Sequence, residues 1–473
     1  MKFCERRRNS PLSRICLAMI VAAGLSACTP AAQRASIDGR LDGRPEPRSL
    51  GSALPLPLST ETSVDDPIGR NMPDEPAGEL TFRTALAQAL LRSPELAVFS
   101  WEIRAANARI LQAGLIPNPE LGLEVENFGG SATRNGFRGA ESTVALSQLI
   151  ELGGKREKRT RVARLERDLA GWDYETKRLD VYVATAKAFM RTLAAQRRTE
   201  LSQAQLALAS QVLATVDERV KAGRASPLEN ARASVALEAS RVAAQRAARE
   251  LQAARNKLAA QWGSTAVRFT RVTGDLDELS VLPPLDDLIE RVSENPDLAR
   301  AENEFALRRS NLALAKANDI PDITISAGVR RYEETDDGAF IAGISIPIPV
   351  FGVNPGGVLE ADRRLSQQMY RQRATVVDVV SSLQETYAKA AALRSEIHAL
   401  KNTILPGAQN AFEAAQLGYR QGKFDFLEVL DSQRTYFGER ERYLDTTSEY
   451  HRTTLDIERL TGQALTPAVD RAK

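Results

Sequence analysis

The chain has 473 residues, a formal net charge of +2, only 5% aromatic side chains and 26% charged ones. Such a length holds two or three ordinary domains, but a composition dominated by Ala, Leu, Arg, Glu and Gln is that of long helices. So even a charge balance leaves no electrostatic footprint for nucleic acid.

Lys2, Arg6, Arg7, Arg8 and Arg14 stand against Glu5 at the start, an apolar run follows from Ile15 to Leu25, and then comes Leu25-Ser26-Ala27-Cys28. This resembles a bacterial lipoprotein signal with its lipobox; an ordinary secretory signal with an incidental cysteine is the plainer alternative. The resemblance implies that residues 1–27 are removed and that Cys28 is acylated. Because Thr29 replaces the Asp that commonly holds such lipoproteins at the inner membrane, it also implies anchorage in the outer membrane. Cys4 and Cys16 leave with the signal, so one mature chain has no thiol pair for a disulfide or a thiolate metal site. Residues 28–79 contain Pro30, Pro45, Pro47, Pro55, Pro57, Pro67, Pro73 and Pro76 and read as an extended tether, since proline defeats both helix and ladder.

Thr81 and Thr84 open a helical pattern that runs to Leu115 and stops at Pro117. From Lys155 to Ala222 there is no proline, and Leu165, Leu169, Trp172, Thr176, Leu179, Val183, Ala186, Met190 and Leu193 alternate steps of four and three. That is a heptad seam, which predicts coiled-coil packing over roughly 100 Å. A shorter helix is expected from Pro227 to Trp262. The plan then repeats: Leu285–Asn318 short, Val358–Gln421 long with a bend at Pro406, and Asp425–Leu460 short.

Gly223 and Gly422, Gly153 and Gly352, and Gly263 and Gly462 all share one offset, as duplication of a long unit requires. The chain therefore divides into residues 80–283, with a tip near Gly223, and 284–473, with a tip near Gly422. Each unit carries two alternating stretches between its first helix and its long one. Leu121, Leu123 and Val125, then Val144 and Leu146, define a hairpin at about 120–150 around a loop from Gly129 to Gly139. Ile323, Ile325, Ala327 and Val329, then Phe340, Ala342, Ile344, Ile346 and Ile348, define a second at about 321–350. Four strands of about ten residues are long enough to cross a bilayer but too few to close a barrel. They form either a soluble hairpin pair or a share of a barrel pooled by several chains.

The duplicated hairpin and coiled-coil plan resembles the outer membrane factor family, the TolC-like exit ducts of bacterial tripartite efflux pumps. The lipobox, the run Gln148-Leu149-Ile150-Glu151-Leu152-Gly153-Gly154-Lys155-Arg156, and Gly422 followed by Glu428-Val429-Leu430-Asp431 carry the same likeness. The run from Glu151 to Arg156 is most similar to the cobalt, zinc and cadmium resistance branch. The resemblance implies a mainly α fold with a small transmembrane β part. Three chains would contribute four strands each to a twelve-stranded β-barrel, and their long helices would form an α-helical tunnel across the periplasm. The implied partners are two further copies, a periplasmic adaptor protein, an inner-membrane RND-type pump and outer membrane lipid.

Glycine permits the left-handed backbone that ends a helix, so Gly223 with Arg224 and Gly422 with Lys423 are helix turns. The resemblance makes them tips that contact the adaptor. Glu428 and Asp431 share a helix face, ordinarily only a solvated one; the family match implies an acidic ring at the tunnel entrance that favours cations. The same match implies a gate link between Tyr419 and Glu229. Phe424 stands where multidrug relatives carry an arginine used in a second link, which leaves Lys423 and Arg224 as candidate substitutes.

His398 and His451 are the only histidines, and neither has partners at metal-ligand spacing. A tight transition-metal site is not expected, and an export conduit should not hold its cargo tightly. No nucleotide loop, nucleophile motif or Ser/His/Asp order is present, so neither a cofactor nor an enzyme is expected. The reading is an outer membrane exit channel of a proton-driven efflux system for divalent heavy-metal cations. The alternatives are a multidrug or type I secretion channel and a coiled-coil envelope scaffold.

Overall fold

The computed structural model describes residues 75–352 and 354–465. The expected signal, Cys28 and most of the expected tether lie outside the described residues. In chain order, β1 is Gly78–Thr81, α1 Phe82–Arg92, α2 Pro94–Ala113, β2 Glu120–Glu126, β3 Glu141–Ile150, α3 Lys155–Lys221 and α4 Pro227–Ala259. The second unit follows with β4 Phe269–Thr273, α5 Leu285–Arg291, α6 Pro296–Asn318, β5 Ile323–Tyr332, β6 Asp337–Ser345, α7 Pro355–Ala399, α8 Leu405–Arg420 and α9 Phe426–Thr461.

Two expected continuous helices are broken, in each case where a residue before proline is steered out of the helical region. Ser93 has ψ 118° between α1 and α2, and Asn295 has ψ 127° ahead of α6, where its side chain caps the Asp297 amide at 2.7 Å. The first break lets α1 leave the line of α2 and pack on α3, where Phe82 meets Tyr182 and Phe189 edge-on. Pro406 acts one step earlier than a simple kink: a turn of π-helix at Leu400–Ile404 separates α7 from α8. Proline cannot donate to the carbonyl four residues back, and the wider turn accommodates that missing bond.

The 67-residue α3 is the spine. It packs along α2 and then α4 on one side, and along α6 and then α9 on the other; α7 and α8 lie beyond α6 and α9. Its heptad seam meets several partners in turn. Leu165 joins Leu307, Leu179 and Val183 join Leu86 and Leu455, and Leu193 joins Leu258, Trp262 and Phe269. Near mid-length, β1 and β4 form a two-stranded parallel sheet with Leu80 and Val272 fully sunk against α3. The Gln196 side chain bonds both backbone groups of Val272 there, at 3.4 and 3.3 Å. The sequence reading had no strand at either place.

The other sheet is antiparallel in the order β2-β3-β5-β6. Its register aligns Leu123, Val144, Val329 and Phe340 across all four strands, and beside them Leu121, Leu146, Ala327 and Ala342. Successive side chains alternate faces, so Glu124, Thr143, Arg330 and Ala339 lie on the opposite side, with Gly122, Ala145, Gly328 and Ile341 next to them. One face is thus apolar and exposed and the other, apart from Ile341, small or polar, as a membrane barrel requires. β6 ends at Ser345 rather than near residue 350, because Pro347 and Pro349 lack the amide donors that would extend the ladder. No described helix is long and apolar enough to cross a membrane.

Candidate gate at the helix tips

Both tips are built by the same backbone device. Gly223 has φ 66° and bonds Val220 O, while Arg224 N bonds Arg219 O at 2.8 Å; Gly422 has φ 73° and bonds Tyr419 O, while Lys423 N bonds Gly418 O at 2.8 Å. Each is a Schellman turn, whose left-handed glycine satisfies the last helix carbonyls. The two tips then diverge. After the first, Ser226 and Glu229 form a capping box that starts α4, with Leu228 N donating to Ser226 Oγ and Ser226 N to Glu229 Oε1, both at 3.2 Å. After the second, Phe424 folds back over Gly418 so closely that a Cβ on Gly418 would lie 2.2 Å from the ring.

Glu229 keeps its second oxygen for the neighbouring hairpin. Tyr419 Oη, near the end of α8, donates to Glu229 Oε2 at 2.9 Å. The tyrosine is 6% exposed, within an apolar cluster of Val216, Ala233, Phe412, Phe426, Val429 and Leu430. Burial, then the Glu229 hydrogen bond and charge, push its phenol up to about 12, against partial opposition from the Arg219 cation. The phenol therefore remains a donor at physiological pH.

Arg219 is the participant that the sequence reading missed. Its guanidinium carbon lies 4.1 Å from the centre of the Tyr419 ring. Neither Lys423 nor Arg224 contributes a side chain to the link; the Arg224 carbonyl instead accepts from Arg219 Nη2 at 3.4 Å. The repeat offset carried a usable signal, since it places Arg219-Val220 opposite Gly418-Tyr419. The cation in one copy thus has its counterpart position taken by glycine, with an aromatic residue next to it, in the other.

Glu428 and Asp431 lie in the first turns of α9, exposed on the side away from buried Val429 and Leu430. Neither carboxylate has an ion pair or side-chain hydrogen bond among the described residues, so each keeps its field for whatever shares that side. Gly223, Arg224, Gly422 and Lys423 are all exposed at the extreme ends. Among the described residues no group of three or more His, Cys, Asp or Glu is placed to hold a metal ion.

The run from Glu151 to Arg156 lies at the opposite end of α3, where it joins the helices to the sheet. Asp322 accepts from Leu152 N at 2.9 Å and from the buried Lys155 Nζ at 2.7 Å. Arg159 pairs with Glu151 at 2.6 Å and also donates to Ala113 O at 3.0 Å and Leu115 O at 3.2 Å. Gly153 has φ 68°, and a Cβ there would press on Ile320 at 2.7 Å. These charges satisfy one another, so the run acts as a joint between α2, α3 and the sheet.

The model of the outer membrane efflux protein family matches residues 85–264 and 290–463, the two units of the repeat. The cobalt-zinc-cadmium resistance protein CzcC of Cupriavidus metallidurans is 32% identical over 391 residues, 83% of this chain and 92% of that one. The nickel-cobalt-cadmium resistance protein NccC of Alcaligenes xylosoxydans is 27% identical over 61% of this chain and 65% of its own. Among solved structures, a crystal structure of CusC superposes with a TM-score of 0.70 at 20% identity, covering 81% of this chain and 92% of that chain.

Proposed function

The chain belongs to the outer membrane efflux protein family, and from that premise we propose that it is the outer membrane exit channel of a tripartite efflux system for divalent heavy-metal cations. The observation that carries this reading is a pair of complementary open edges. On one side β2 leaves its ladder unpaired, and α4 shows Leu228, Val235 and Val242 at seven-residue spacing, 57%, 71% and 65% exposed. On the other, β6 is unpaired and α7 shows Met369, Tyr370, Val376 and Val377.

A contact of one edge with the opposite edge of the next copy is head-to-tail and closes as a ring. An open sheet edge in lipid costs too much to persist, and three copies supply twelve strands, enough for a barrel. The apolar face with Leu121, Leu123, Phe340 and Ile344 then meets lipid, and acylated Cys28 adds a second anchor. The helices extend as a periplasmic tunnel toward an adaptor that meets the tips at Gly223, Arg224, Gly422 and Lys423. An inner-membrane pump supplies the energy. The Tyr419–Glu229 link holds the entrance, and Glu428 and Asp431 of three copies ring it with carboxylates.

The metal assignment rests on the resistance proteins that the chain resembles over most of its length. Deleting the gene in a host that keeps its partner pump should lower tolerance of cobalt, zinc or cadmium, with restoration on re-expression. Unchanged metal tolerance with new sensitivity to dyes and antibiotics would move the substrate to organic compounds. Mass measurement of the detergent-solubilised protein should show three chains; a stable monomer with intact β-structure would overturn the assembly.

A further inference from the structure

Arg219 lies in the last turn of α3, where an arginine would ordinarily be left to water. Here its guanidinium stacks on the Tyr419 ring at 4.1 Å and donates through Nη1 to Tyr419 O and through Nη2 to Arg224 O at 3.4 Å. Nε is buried with no hydrogen-bond partner. Among the described residues no carboxylate pairs with this cation. Removing part of a guanidinium from water without an anion is costly, and the ring face and two carbonyls must offset that cost.

The three contacts belong to different parts of the tip. Arg224 O lies in the turn after α3, Tyr419 O in the last turn of α8, and the ring between α8 and α4. The same Tyr419 carbonyl also accepts from Gly422 N at 3.0 Å, within the turn that ends α8. Tyr419 is therefore held at its hydroxyl by Glu229, on its face by Arg219 and at its backbone by Arg219 again.

We propose that Arg219 is a positioning residue of the gate: it holds the Tyr419 ring in the orientation that reaches Glu229 and ties the end of α3 to the end of α8. This inference rests on the reading of the Tyr419–Glu229 bond as a gate link. Separation of the two hairpins then requires the guanidinium to leave the ring and the Tyr419 carbonyl together, while the Arg224 carbonyl, on the guanidinium's own hairpin, keeps it aimed at them. Lysine does not replace it, because an ammonium lacks the planar stack and the fork that spans two acceptors.

The test compares the full-length assembled channel with Tyr419→Phe, Arg219→Gln, Arg219→Lys and the Arg219→Gln/Tyr419→Phe pair, by conductance in planar bilayers and by ultraviolet titration of the phenols. Arg219→Gln should raise mean conductance severalfold, as Tyr419→Phe does, and the pair should exceed neither by more than a small factor. Tyr419 should then titrate below its wild-type position, toward ordinary tyrosine, because the ring leaves Glu229. If Arg219 were only a nearby charge, its removal would shift that titration upward, and that outcome overturns the proposal. So does wild-type conductance in Arg219→Gln alongside an open Tyr419→Phe channel, or fully multiplicative effects in the pair. Wild-type conductance in Tyr419→Phe itself would instead reject the gate reading. Should Arg219→Gln fail to assemble, Arg219→Lys carries the test: raised conductance supports the proposal and wild-type conductance overturns it.

Discussion

Tyr419 and Glu229 are separated by 190 residues along the chain, yet the phenol donates to the carboxylate at 2.9 Å. That bond crosses from the second copy of the repeat to the first, joining two hairpins that otherwise meet through the Arg219 contacts with Tyr419 and an apolar cluster. Apolar contact permits sliding, whereas a directional bond to a charged acceptor fixes one register. The bond therefore suits a two-position entrance better than the packing does.

Tyr419→Phe removes the donor while keeping the ring, and Glu229→Gln weakens the acceptor while keeping its shape. Each should raise conductance in planar bilayers, since a hydrogen bond to a charged group contributes about 1.5 to 3 kcal/mol and three copies act together. Glu229→Gln should have the additional effect of loosening the start of α4, because the same side chain completes the capping box. Unchanged conductance in both variants would remove this bond from the gating mechanism.

If the link holds the entrance, an alkaline limb in conductance is expected from the sign of the Tyr419 shift. The phenol is raised from 10 to about 12 in the folded protein, so the link is fully present below pH 10 and is lost as pH rises toward 12. Ionisation would set a phenolate against the Glu229 carboxylate. Wild-type conductance should rise across that window, while Tyr419→Phe, already without the donor, should lack that component. A rise of equal size in both proteins would assign the alkaline transition to another group.

Glu428 and Asp431 present two carboxylates per chain with no partner among the described residues, and a threefold ring would gather six of them. Like charges in a constriction raise the local cation concentration and repel anions. Glu428→Gln with Asp431→Asn should lower the cation-to-anion permeability ratio, measured as the reversal potential in a salt gradient, and weaken block by divalent ions. An unchanged reversal potential would place both carboxylates outside the narrow path.

The joint predicts a stability effect at the end remote from the gate. Lys155→Met leaves Asp322 with only the Leu152 amide, and breaking one side of a largely buried pair should cost about 1 to 3 kcal/mol. The assembled protein should dissociate at lower temperature in detergent. Because Lys155 and Asp322 share one contact, adding Asp322→Asn should cost less than the sum of the two single changes. Full additivity would mean that the pair does not act as a unit.

Periodicity carried much of the plan by itself. The heptad steps from Leu165 to Leu193 marked the spine, alternation marked the four strands of the larger sheet, and glycines at a constant offset marked both tips, since each pattern reflects local backbone geometry. Prolines were visible, but their outcomes were not: Pro94 and Pro296 divide helices because α1 and α5 find separate packing sites, and Pro406 is absorbed by a π turn. The pairing of β3 with β5 joins the two units, and no local pattern specifies such a partner. The β1–β4 sheet escaped notice because strands of four and five residues are too short to display a period. Family resemblance singled out Tyr419 and Glu229, but the guanidinium over the ring did not follow from it. Arg219 reads in isolation as a solvated cation near a helix end. Only the approach of the end of α8 to the end of α3 takes part of it out of water and leaves an aromatic face and two carbonyls in place of a carboxylate.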